Sequence, residues 1–507
     1  MNIKRVAIIG GGTAGWLAAN HLGVELKHED IEITLIESED IGIIGVGEGT
    51  VPYIKKSLQR FGISEAELIA NCDVAFKQGI KFVDWLSAEK HGAGHFYYHP
   101  FSSPYPAGYD VTPYWLANRE NLEFSAVTEV IGVAEAMRSP KKISSPPYLG
   151  EVNYAYHFNA VKFGKLLAKN AREKLSVKHL ITTIVGATKN DDGSIAKLVT
   201  SDGGELEFDF YVDCSGFASL LIDRELQVPF IDKSKQILTD TALALQIPSD
   251  GVEEIKPYTT ATAHKAGWIW DIPLTQRRGT GFVYSSSHMS ESQALEEFSK
   301  YLQLDLEKLS PRKISMKIGY REKFWCKNCV ALGLAQGFVE PLEATSILLT
   351  DFSAEILARN FPRNSENIEV LSGYCNKVLS YAWERVIDFV QLHYCISDRD
   401  DSDFWQENIN STSLSEILHE RLEMWKLNHP KKTDFFSQFD LFNVDNYLFV
   451  LYGMKYLTRV PPISTYEADV SKAQFALVKQ RSEQLAKELP SHREWLSKFE
   501  RAISNPK

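Results

Sequence analysis

Glycines at positions 10, 12 and 15 follow a short apolar run and precede an apolar stretch at helical spacing. A strand, a tight turn and a helix in this order can bring the backbone against a pyrophosphate, with the helix N-terminus facing the phosphate charge. Glu37 ends the next apolar run, 22 residues after Gly15, where its carboxylate can accept hydrogen bonds from an adenosine ribose. The pattern predicts a dinucleotide site, and the alternative is a glycine-rich turn without a ligand.

The glycine motif by itself leaves FAD and NAD open as the dinucleotide. Glu37 disfavours NADP, because its carboxylate would meet the 2′-phosphate. The run from Asp213 to Gly216 (DCSG) ends a later predicted strand and can bring a second backbone loop to the same cofactor. Contact from two parts of the chain suits FAD better than NAD.

The elements that must position these residues can be read from the apolar pattern. A βαβ unit is predicted over residues 6–37. Alternating residues over 206–212, after a Ser-Asp-Gly-Gly turn, indicate an antiparallel hairpin that leads into a strand. The irregular stretch 91–147, rich in aromatic residues and proline, indicates loops around a pocket or a plain surface excursion. Past residue 347 the pattern becomes mainly helical, with amphipathic segments at about 352–361, 379–393, 414–427 and 470–499.

The composition excludes several classes of protein. The 507 residues carry 55 Lys and Arg against 66 Asp and Glu, a formal net charge of −11, which argues against a nucleic-acid partner. No apolar run approaches the roughly 20 residues of a membrane helix. The first residues predict a strand and lack the apolar core of a signal peptide. We therefore expect a soluble cytoplasmic protein that binds neither nucleic acid nor membrane.

The six cysteines are too few for a disulfide framework in so long a chain. Only Cys326 and Cys329 have C-x-x-C spacing, and no second pair lies nearby. Buried free thiols are therefore favoured over a zinc or redox site, and we expect no metal.

Three further motifs carry a resemblance to a known family. They are GVGEGTVP at 45–52, WIWDIP at 268–273 and GFVEPLE at 337–343. Together with GGGTAGW at 10–16, they make the chain resemble the flavin-dependent tryptophan halogenases from residue 3 to about 407, where the stretch Arg399 to Trp405 ends the similarity. The W-x-W-x-I-P signature separates that family from ordinary flavin monooxygenases.

The resemblance implies an α/β protein with a Rossmann-type FAD-binding fold, an additional antiparallel sheet and a mainly helical C-terminal substrate region. The expected division is an FAD-binding α/β module over 1–350, with a pocket-forming excursion at about 77–160, and a mainly helical region over 351–507 that completes the substrate pocket. The expected cofactor residues are Gly10, Gly12, Thr13, Ala14, Gly15, Glu37, Gly47 and Gly333.

In that family, reduced FAD from a separate reductase and oxygen convert halide to hypohalous acid, which passes through an internal tunnel to an aromatic substrate. The resemblance implies that Lys77 holds or takes up the oxidised halogen, with Lys81 as a structural neighbour. Glu343 is expected to orient the halogen and to stabilise the cationic ring intermediate, with proton removal as a further role. Without the resemblance, Lys77 would be taken as a surface residue and Glu343 as half of a structural salt bridge.

Other site residues also follow from the resemblance. Backbone N–H groups of Thr345 and Ser346 are expected to bind the halide, and His99 and Phe101 to line the substrate pocket. Trp268 and Trp270 are expected to form a barrier beside the flavin, or to be plain core residues on one face of a strand.

Two departures from the family concern halide and substrate. Ala344-Thr345-Ser346 replaces the usual Ser-Thr-Gly, which removes a hydroxyl and the freedom of glycine at positive φ, and we expect bromide or iodide to react better than chloride. The segment 435–447 lacks the tyrosine pair and the tryptophan that grip free tryptophan, so we expect an indole or another electron-rich aromatic instead.

Two alternatives remain open from the sequence. One is a flavin monooxygenase, and the other is an FAD-binding regulatory or scaffold protein without turnover. The sequence leaves open whether the chain forms a homo-oligomer and whether the substrate is tethered to a carrier.

Overall fold

The computed structural model describes residues 2–39, 48–249, 251, 253–305 and 310–504. The strands, in chain order, are β1 (Arg5–Ile9), β2 (Glu32–Glu37), β3 (Glu48–Gly49), β4 (Ala75–Lys77), β5 (Gly79–Val83), β6 (Phe96–Pro100), β7 (Ala155–Phe158), β8 (Lys178–Ile181), β9 (Ile184–Lys189), β10 (Ile195–Thr200), β11 (Glu205–Glu207), β12 (Phe210–Asp213), β13 (Phe230–Asp232), β14 (Thr241–Pro248), β15 (Thr259–His264), β16 (Gly267–Pro273), β17 (Arg277–Tyr284), β18 (Arg312–Ser315), β19 (Gly319–Arg321), β20 (Trp325–Cys326), β21 (Cys329–Ala331) and β22 (Gly337–Phe338).

The α-helices, in chain order, are α1 (Thr13–Glu25), α2 (Tyr53–Phe61), α3 (Glu65–Asn71), α4 (Ala88–His91), α5 (Thr112–Asn118), α6 (Val130–Glu135), α7 (Ala160–Lys174), α8 (Glu291–Leu302), α9 (Thr345–Arg359), α10 (Ile368–Cys395), α11 (Asp403–Ile409), α12 (Glu416–Leu427), α13 (Val444–Gly453), α14 (Thr465–Glu488) and α15 (His492–Ser504). A π-helix spans Leu220–Glu225, and short 3₁₀ turns span Pro106–Gly108, Phe124–Val127, Gly216–Ala218, Gly333–Ala335, Leu342–Ala344, Ser365–Asn367 and Lys432–Asp434. None of the described helices is long and apolar enough to cross a membrane.

A six-stranded sheet holds the predicted βαβ unit. Its order is β20-β21-β12-β1-β2-β8, and all strands except β20 are parallel to their neighbours. Helix α1 follows β1 after the glycine turn and packs against α7 and α9. Both faces of α1 are covered, which explains why its sequence is apolar nearly throughout. The predicted Rossmann-type fold is confirmed.

A seven-stranded sheet, β18-β14-β17-β16-β15-β5-β6, forms the second layer and is antiparallel except between β15 and β5. A smaller antiparallel sheet, β3-β7-β4, carries Lys77 at the end of its edge strand. The predicted hairpin around residue 203 is also present, as β10 and β11. The additional antiparallel structure expected from the sequence is therefore confirmed.

Two local predictions need correction. The stretch 91–147 is not made of loops alone, because it contains β6, α5 and α6. The amphipathic pattern over 470–499 is not one helix but two, α14 and α15, which Pro490 separates because proline lacks the N–H that a continuous helix needs.

Cys326 and Cys329 face each other across the β20–β21 hairpin as free thiols, and no metal-binding cluster of three or more ligands occurs in the described part of the chain.

His492, the first residue of α15, fastens the C-terminal helix to the strand that carries Lys77. Its Nδ1 donates a hydrogen bond to the Ile255 carbonyl at 2.9 Å, so its Nε2 is free to accept one from the Phe76 N–H, also at 2.9 Å. The ring lies nearly parallel to that of Phe76, with centroids 5.6 Å apart. Burial lowers the pKa of His492 from 6.5 to about 4, so the ring is neutral at physiological pH.

This contact predicts a pH dependence of stability. Between about pH 6.5 and pH 4 the unfolded chain binds a proton at residue 492 that the folded chain excludes, so stability is complete above this window and falls as the pH falls through it. His492→Gln keeps an acceptor for the Phe76 N–H but does not titrate, so the drop in Tm between pH 7 and about 4.5 should be smaller than in the wild type. The exposed His28→Gln is the matched control, and equal pH slopes for all three proteins would contradict the assignment.

Candidate active site

A cavity of about 790 Å³ opens at the carboxyl ends of the parallel strands β1, β2 and β12. Six of the predicted cofactor residues line it: Gly10, Gly12, Thr13, Ala14, Glu37 and Gly333. The loop from Cys214 to Phe217 lines it as well, so the second backbone segment expected from the DCSG run reaches the same cavity. Gly47 lies outside the described residues.

The glycines of this cavity leave room for a ligand backbone. A Cβ on Gly12 would meet no atom within 4 Å, which places open space in front of the α1 N-terminus. At Gly15 a Cβ would lie 1.9 Å from the Gly10 carbonyl oxygen, so Gly15 serves helix packing and not the cavity surface. Gly10 has φ 114° and approaches Cys214 closely. An open N-terminus without side chains fits the pyrophosphate of a dinucleotide such as FAD.

Lys77 is 1% exposed and lines the same cavity. Its Nζ lies 5.2 Å from the centre of the Phe101 ring. Gly49 on β3 makes room for this ammonium group, since a Cβ there would lie 3.3 Å from Nζ. Burial lowers the pKa of Lys77 from 10.5 to about 8, although the charge of Glu343 opposes that shift. The amine form of Lys77 is therefore a minor form at neutral pH that becomes the major form just above pH 8.

Glu343 lies in the 3₁₀ turn just before α9, and its carboxylate is buried. His99 Nδ1 lies 2.8 Å from both carboxylate oxygens, and His393 Nε2 lies 3.1 Å from Oε1. Burial raises the pKa of Glu343, but the two histidines outweigh it and lower the value from 4.5 to about 2. Glu343 is therefore held as an anion at the cavity wall.

A second, smaller pocket of about 150 Å³ is lined by His99 and Phe101. Lys77 and Glu343 line the larger cavity, and each contacts one of these two residues, Lys77 the Phe101 ring and Glu343 the His99 ring. The four side chains thus form the boundary between the two cavities. The remaining residues of the smaller pocket are mostly apolar: Val51, Pro52, Tyr53, Leu348, Leu441, Phe442 and Asn446.

Trp268 and Trp270 both line the larger cavity, because alternate residues of β16 share a face. Their ring centroids are 6.3 Å apart. Glu340 anchors the first of them: it accepts hydrogen bonds from Trp268 Nε1 at 3.4 Å and from the Tyr394 hydroxyl at 2.6 Å. The two tryptophans are core residues and cavity wall at once.

The start of α9 supplies backbone N–H groups that no helical carbonyl can accept. Ser346 lines the larger cavity, whereas Thr345 is fully buried behind it and donates its hydroxyl to the Glu340 carbonyl at 2.9 Å. The freedom of glycine at positive φ is not used at residue 346, because Ser346 lies in the first helical turn. The left-handed residues are Glu343 and Ala344, with φ of 67° and 58°.

Three residues of this site were missed by sequence reasoning. His393 comes from the last turn of α10, Phe442 from the segment before α13, and Asn446 from the first turn of α13. Asn446 Nδ2 lies 3.0 Å from His99 Nε2, across 347 residues of sequence. The Asn-x-x-Asn spacing of residues 443 and 446 is a local capping signal, but its contact with His99 has no local signal.

Comparison with known proteins gives consistent results. The family model described as tryptophan halogenase matches residues 5–467. The tryptophan 7-halogenase RebH of Lentzea aerocolonigenes is 33% identical over 97% of this chain and 98% of its own. The crystal structure of a tryptophan halogenase from Shewanella frigidimarina has a TM-score of 0.94 and 37% identity, covering 99% and 98% of the two chains. BrvH, a flavin-dependent halogenase from a Brevundimonas species, has a TM-score of 0.87 and 30% identity, covering 98% and 99%.

The open space at Gly12 generates a prediction about the cofactor. Gly12→Val should leave the fold intact, because no protein atom is in the way, but should fill the space that a pyrophosphate needs. We expect FAD affinity to fall by at least about 100-fold in a fluorescence titration, with an unchanged Tm of the unliganded protein. Gly373→Val is the control, since it also meets no atom but lies on the exposed face of α10. Wild-type affinity in Gly12→Val would place the cofactor elsewhere.

Proposed function

The chain belongs to the tryptophan halogenase family, and from that membership we propose that Lys77 and Glu343 direct the halogenation of an indole held in the smaller pocket. The protein is a flavin-dependent halogenase that uses reduced FAD, oxygen and halide. Its reduced flavin comes from a separate reductase. Bound in the larger cavity, reduced FAD supplies the electrons with which oxygen oxidises halide to hypohalous acid.

The boundary between the two cavities is the observation that carries the proposal. An oxidised halogen that forms in the larger cavity meets Lys77 and Glu343 before it reaches the aromatic ring. The net reaction exchanges a ring hydrogen for halogen: a carbon–halogen bond forms, the oxygen–halogen bond of hypohalous acid breaks, and the ring proton leaves with hydroxide as water. The separation keeps the aromatic substrate away from the flavin, which disfavours direct hydroxylation.

Lys77 is suited to receive the halogen because its ammonium group loses its proton, and so gains a lone pair, close to neutral pH. Burial lowers the pKa of Lys77 to about 8, whereas an arginine in the same place would stay charged. The Phe101 ring below Nζ leaves one side of the amine without a hydrogen-bond acceptor. A neutral amine here can bind an electrophilic halogen and present it to the neighbouring pocket.

Glu343 is suited to stabilise the positive charge that develops on the ring. Two histidines hold it as an anion in a buried place, where its field is screened little by water. The low pKa of Glu343 makes it a poor final acceptor for the ring proton. We therefore assign it electrostatic stabilisation first and proton removal second.

We place the halide at the N-terminus of α9, where Ser346 lines the larger cavity and the N–H groups of the first helical turn have no helical acceptor. Thr345 contributes its N–H from behind that surface. Ala344 lacks the hydroxyl of the usual serine, which leaves the anion fewer donors and favours bromide over the more strongly hydrated chloride.

The composition of the smaller pocket supports an indole without a charged side chain. No Asp or Glu occurs among the described residues that line it, so an ammonium group would lack a partner there. The Tyr53 hydroxyl is already bonded to Glu355, and both ends of the Asn446 amide are occupied. The desolvation free energy of an unpaired ammonium and carboxylate would exceed the free energy gained from the added contacts.

The role of Lys77 can be tested by separating the two half-reactions. Lys77→Ala should reduce aromatic halogenation by at least about 100-fold, because the halogen is no longer held at the boundary. Oxidation of reduced flavin and formation of hypohalous acid, followed with a chemical trap, should stay near the wild-type rate. Lys81→Ala is the matched control, since Lys81 lies on β5 and pairs with Glu135 at 2.8 Å. Unchanged product yield from Lys77→Ala would overturn the assignment.

The substrate proposal predicts the outcome of a competition experiment. Indole and tryptophan in equal amounts, with a reductase, FAD, NADH and oxygen, should give at least as much halogenated indole as halogenated tryptophan. An apolar pocket distinguishes such analogues by only about 1–3 kcal/mol and offers nothing to the zwitterion. Parallel runs in bromide and in chloride, read by mass spectrometry, should favour bromide. A clear preference for tryptophan with chloride would contradict both parts.

A further inference from the structure

The hydrogen bonds around Glu343 determine the protonation states of the two histidines that contact it, His99 and His393. Asn446 is the starting point, because its orientation is fixed by the backbone. The Asn443 N–H donates to Asn446 Oδ1 at 2.9 Å, so the other end of the amide, Nδ2, faces His99. An amide nitrogen donates and does not accept. His99 Nε2, 3.0 Å from Asn446 Nδ2, must therefore be the acceptor in that contact.

This contact determines the tautomer of His99. An accepting Nε2 carries no proton, so the ring is neutral and its proton lies on Nδ1. Nδ1 points at the Glu343 carboxylate, 2.8 Å from each oxygen. His99 therefore donates one hydrogen bond to Glu343 and brings no charge.

His393 is in the opposite situation, because both of its ring nitrogens face oxygen. Its Nδ1 lies 2.8 Å from the Phe389 carbonyl, which can only accept, so Nδ1 carries a proton. Its Nε2 lies 3.1 Å from Glu343 Oε1. One further proton must lie between these two atoms, on the imidazole or on the carboxyl group. In either form the Glu343–His393 pair has no net charge.

The charge of this pair matters for Lys77. Lys77 is buried, and the described titratable groups around it and Glu343 come from five elements. They are Glu48 on β3, Tyr97 and His99 on β6, His157 on β7, Glu343 before α9 and His393 on α10. His157 is a neutral imidazole, because burial holds its pKa well below the usual value. Burial raises the pKa of Glu48 to about 7, whereas the pKa of Glu343 is lowered, so Glu343 is the carboxylate of this described set that stays ionised and acts as the counter-ion for Lys77.

We propose that His393 is a positioning residue that offsets most of the charge of Glu343 and so raises the amine fraction of Lys77. Without the extra proton, Glu343 would be an unpaired buried anion and would hold Lys77 as its ammonium partner. An ammonium group has no lone pair for an electrophilic halogen. The inference rests on the proposed function for its meaning in catalysis, but the charge arrangement itself can be measured without turnover.

The measurement is the pH dependence of acetylation of Lys77 by acetic anhydride, read by peptide mass spectrometry on the full-length protein. Only the amine form reacts, so the midpoint of the labelling curve reports the protonation of Lys77. His393→Gln can still donate a hydrogen bond to Glu343 but carries no charge, and it should raise the midpoint by about one pH unit. His99→Gln is the matched control: it replaces a neutral donor by a neutral donor and should leave the midpoint unchanged.

A second variant keeps the test valid if His393→Gln does not fold. Glu343→Gln removes a carboxylate whose charge His393 already offsets for the most part, so the midpoint should fall by much less than one pH unit. If Glu343 were an uncompensated anion, the same change would lower the midpoint by about one pH unit. The double variant Glu343→Gln with His393→Gln should return the midpoint to the wild-type value.

The pH profile of halogenation is the second readout. For His393→Gln its rising limb should move to higher pH with the labelling midpoint, while the profile of hypohalous acid formation stays in place. Equal midpoints for wild type and His393→Gln, or equal shifts for His393→Gln and His99→Gln, would overturn the inference. If Lys77→Ala kept its halogenation activity, the proposed function would be overturned. The acetylation midpoints would still test the charge arrangement around Lys77 in the wild-type protein.

Discussion

A buried carboxylate between two imidazole rings is the interaction on which this site depends. Moving the Glu343 carboxylate out of water is costly unless hydrogen bonds and charge replace its hydration, and His99 and His393 supply both. The backbones of Glu343 and Ala344 both adopt the left-handed conformation, which residues other than glycine rarely take. Glu343 lines the larger cavity in this conformation, and its carboxylate contacts His99, which lines the smaller pocket.

The surrounding strands and helices bring Lys77, Glu343 and the two histidines together. The β5–β6 pairing sets Ile80 opposite His99, so the strand that follows Lys77 also positions the ring that bonds Glu343. Helix α10 delivers His393 from behind, and the cap of α13 orients His99 through Asn446. Lys77 itself lies on an edge strand whose outer N–H is bonded to His492, so the C-terminal helix supports the same boundary. Four separate parts of the chain thus define one small volume.

The dinucleotide unit was predictable from the sequence because its signals are local. The turn glycines, the acid at the end of β2 and the alternation of Trp268 and Trp270 each lie within one element, and each residue faces where its pattern indicates. Lys77 and Glu343 were found only through the family resemblance, since neither spacing nor composition marks them. His393 and Asn446 were not found, because their roles arise from contacts across 50 and 347 residues. The left-handed backbone at Glu343 and Ala344 was not predicted either, because the sequence marks a glycine position only at Ser346, which lies in the first turn of α9.

Lys77 and Glu343 are proposed to separate a cofactor cavity from an aromatic pocket. A crystal structure with FAD and an indole bound together would show whether they do. We expect FAD in the larger cavity against Gly12, and the indole in the smaller pocket between Phe101 and Phe442, with a ring carbon facing Lys77 Nζ. An indole bound in the larger cavity, in contact with the flavin and on the far side of Lys77 from Phe101, would contradict it.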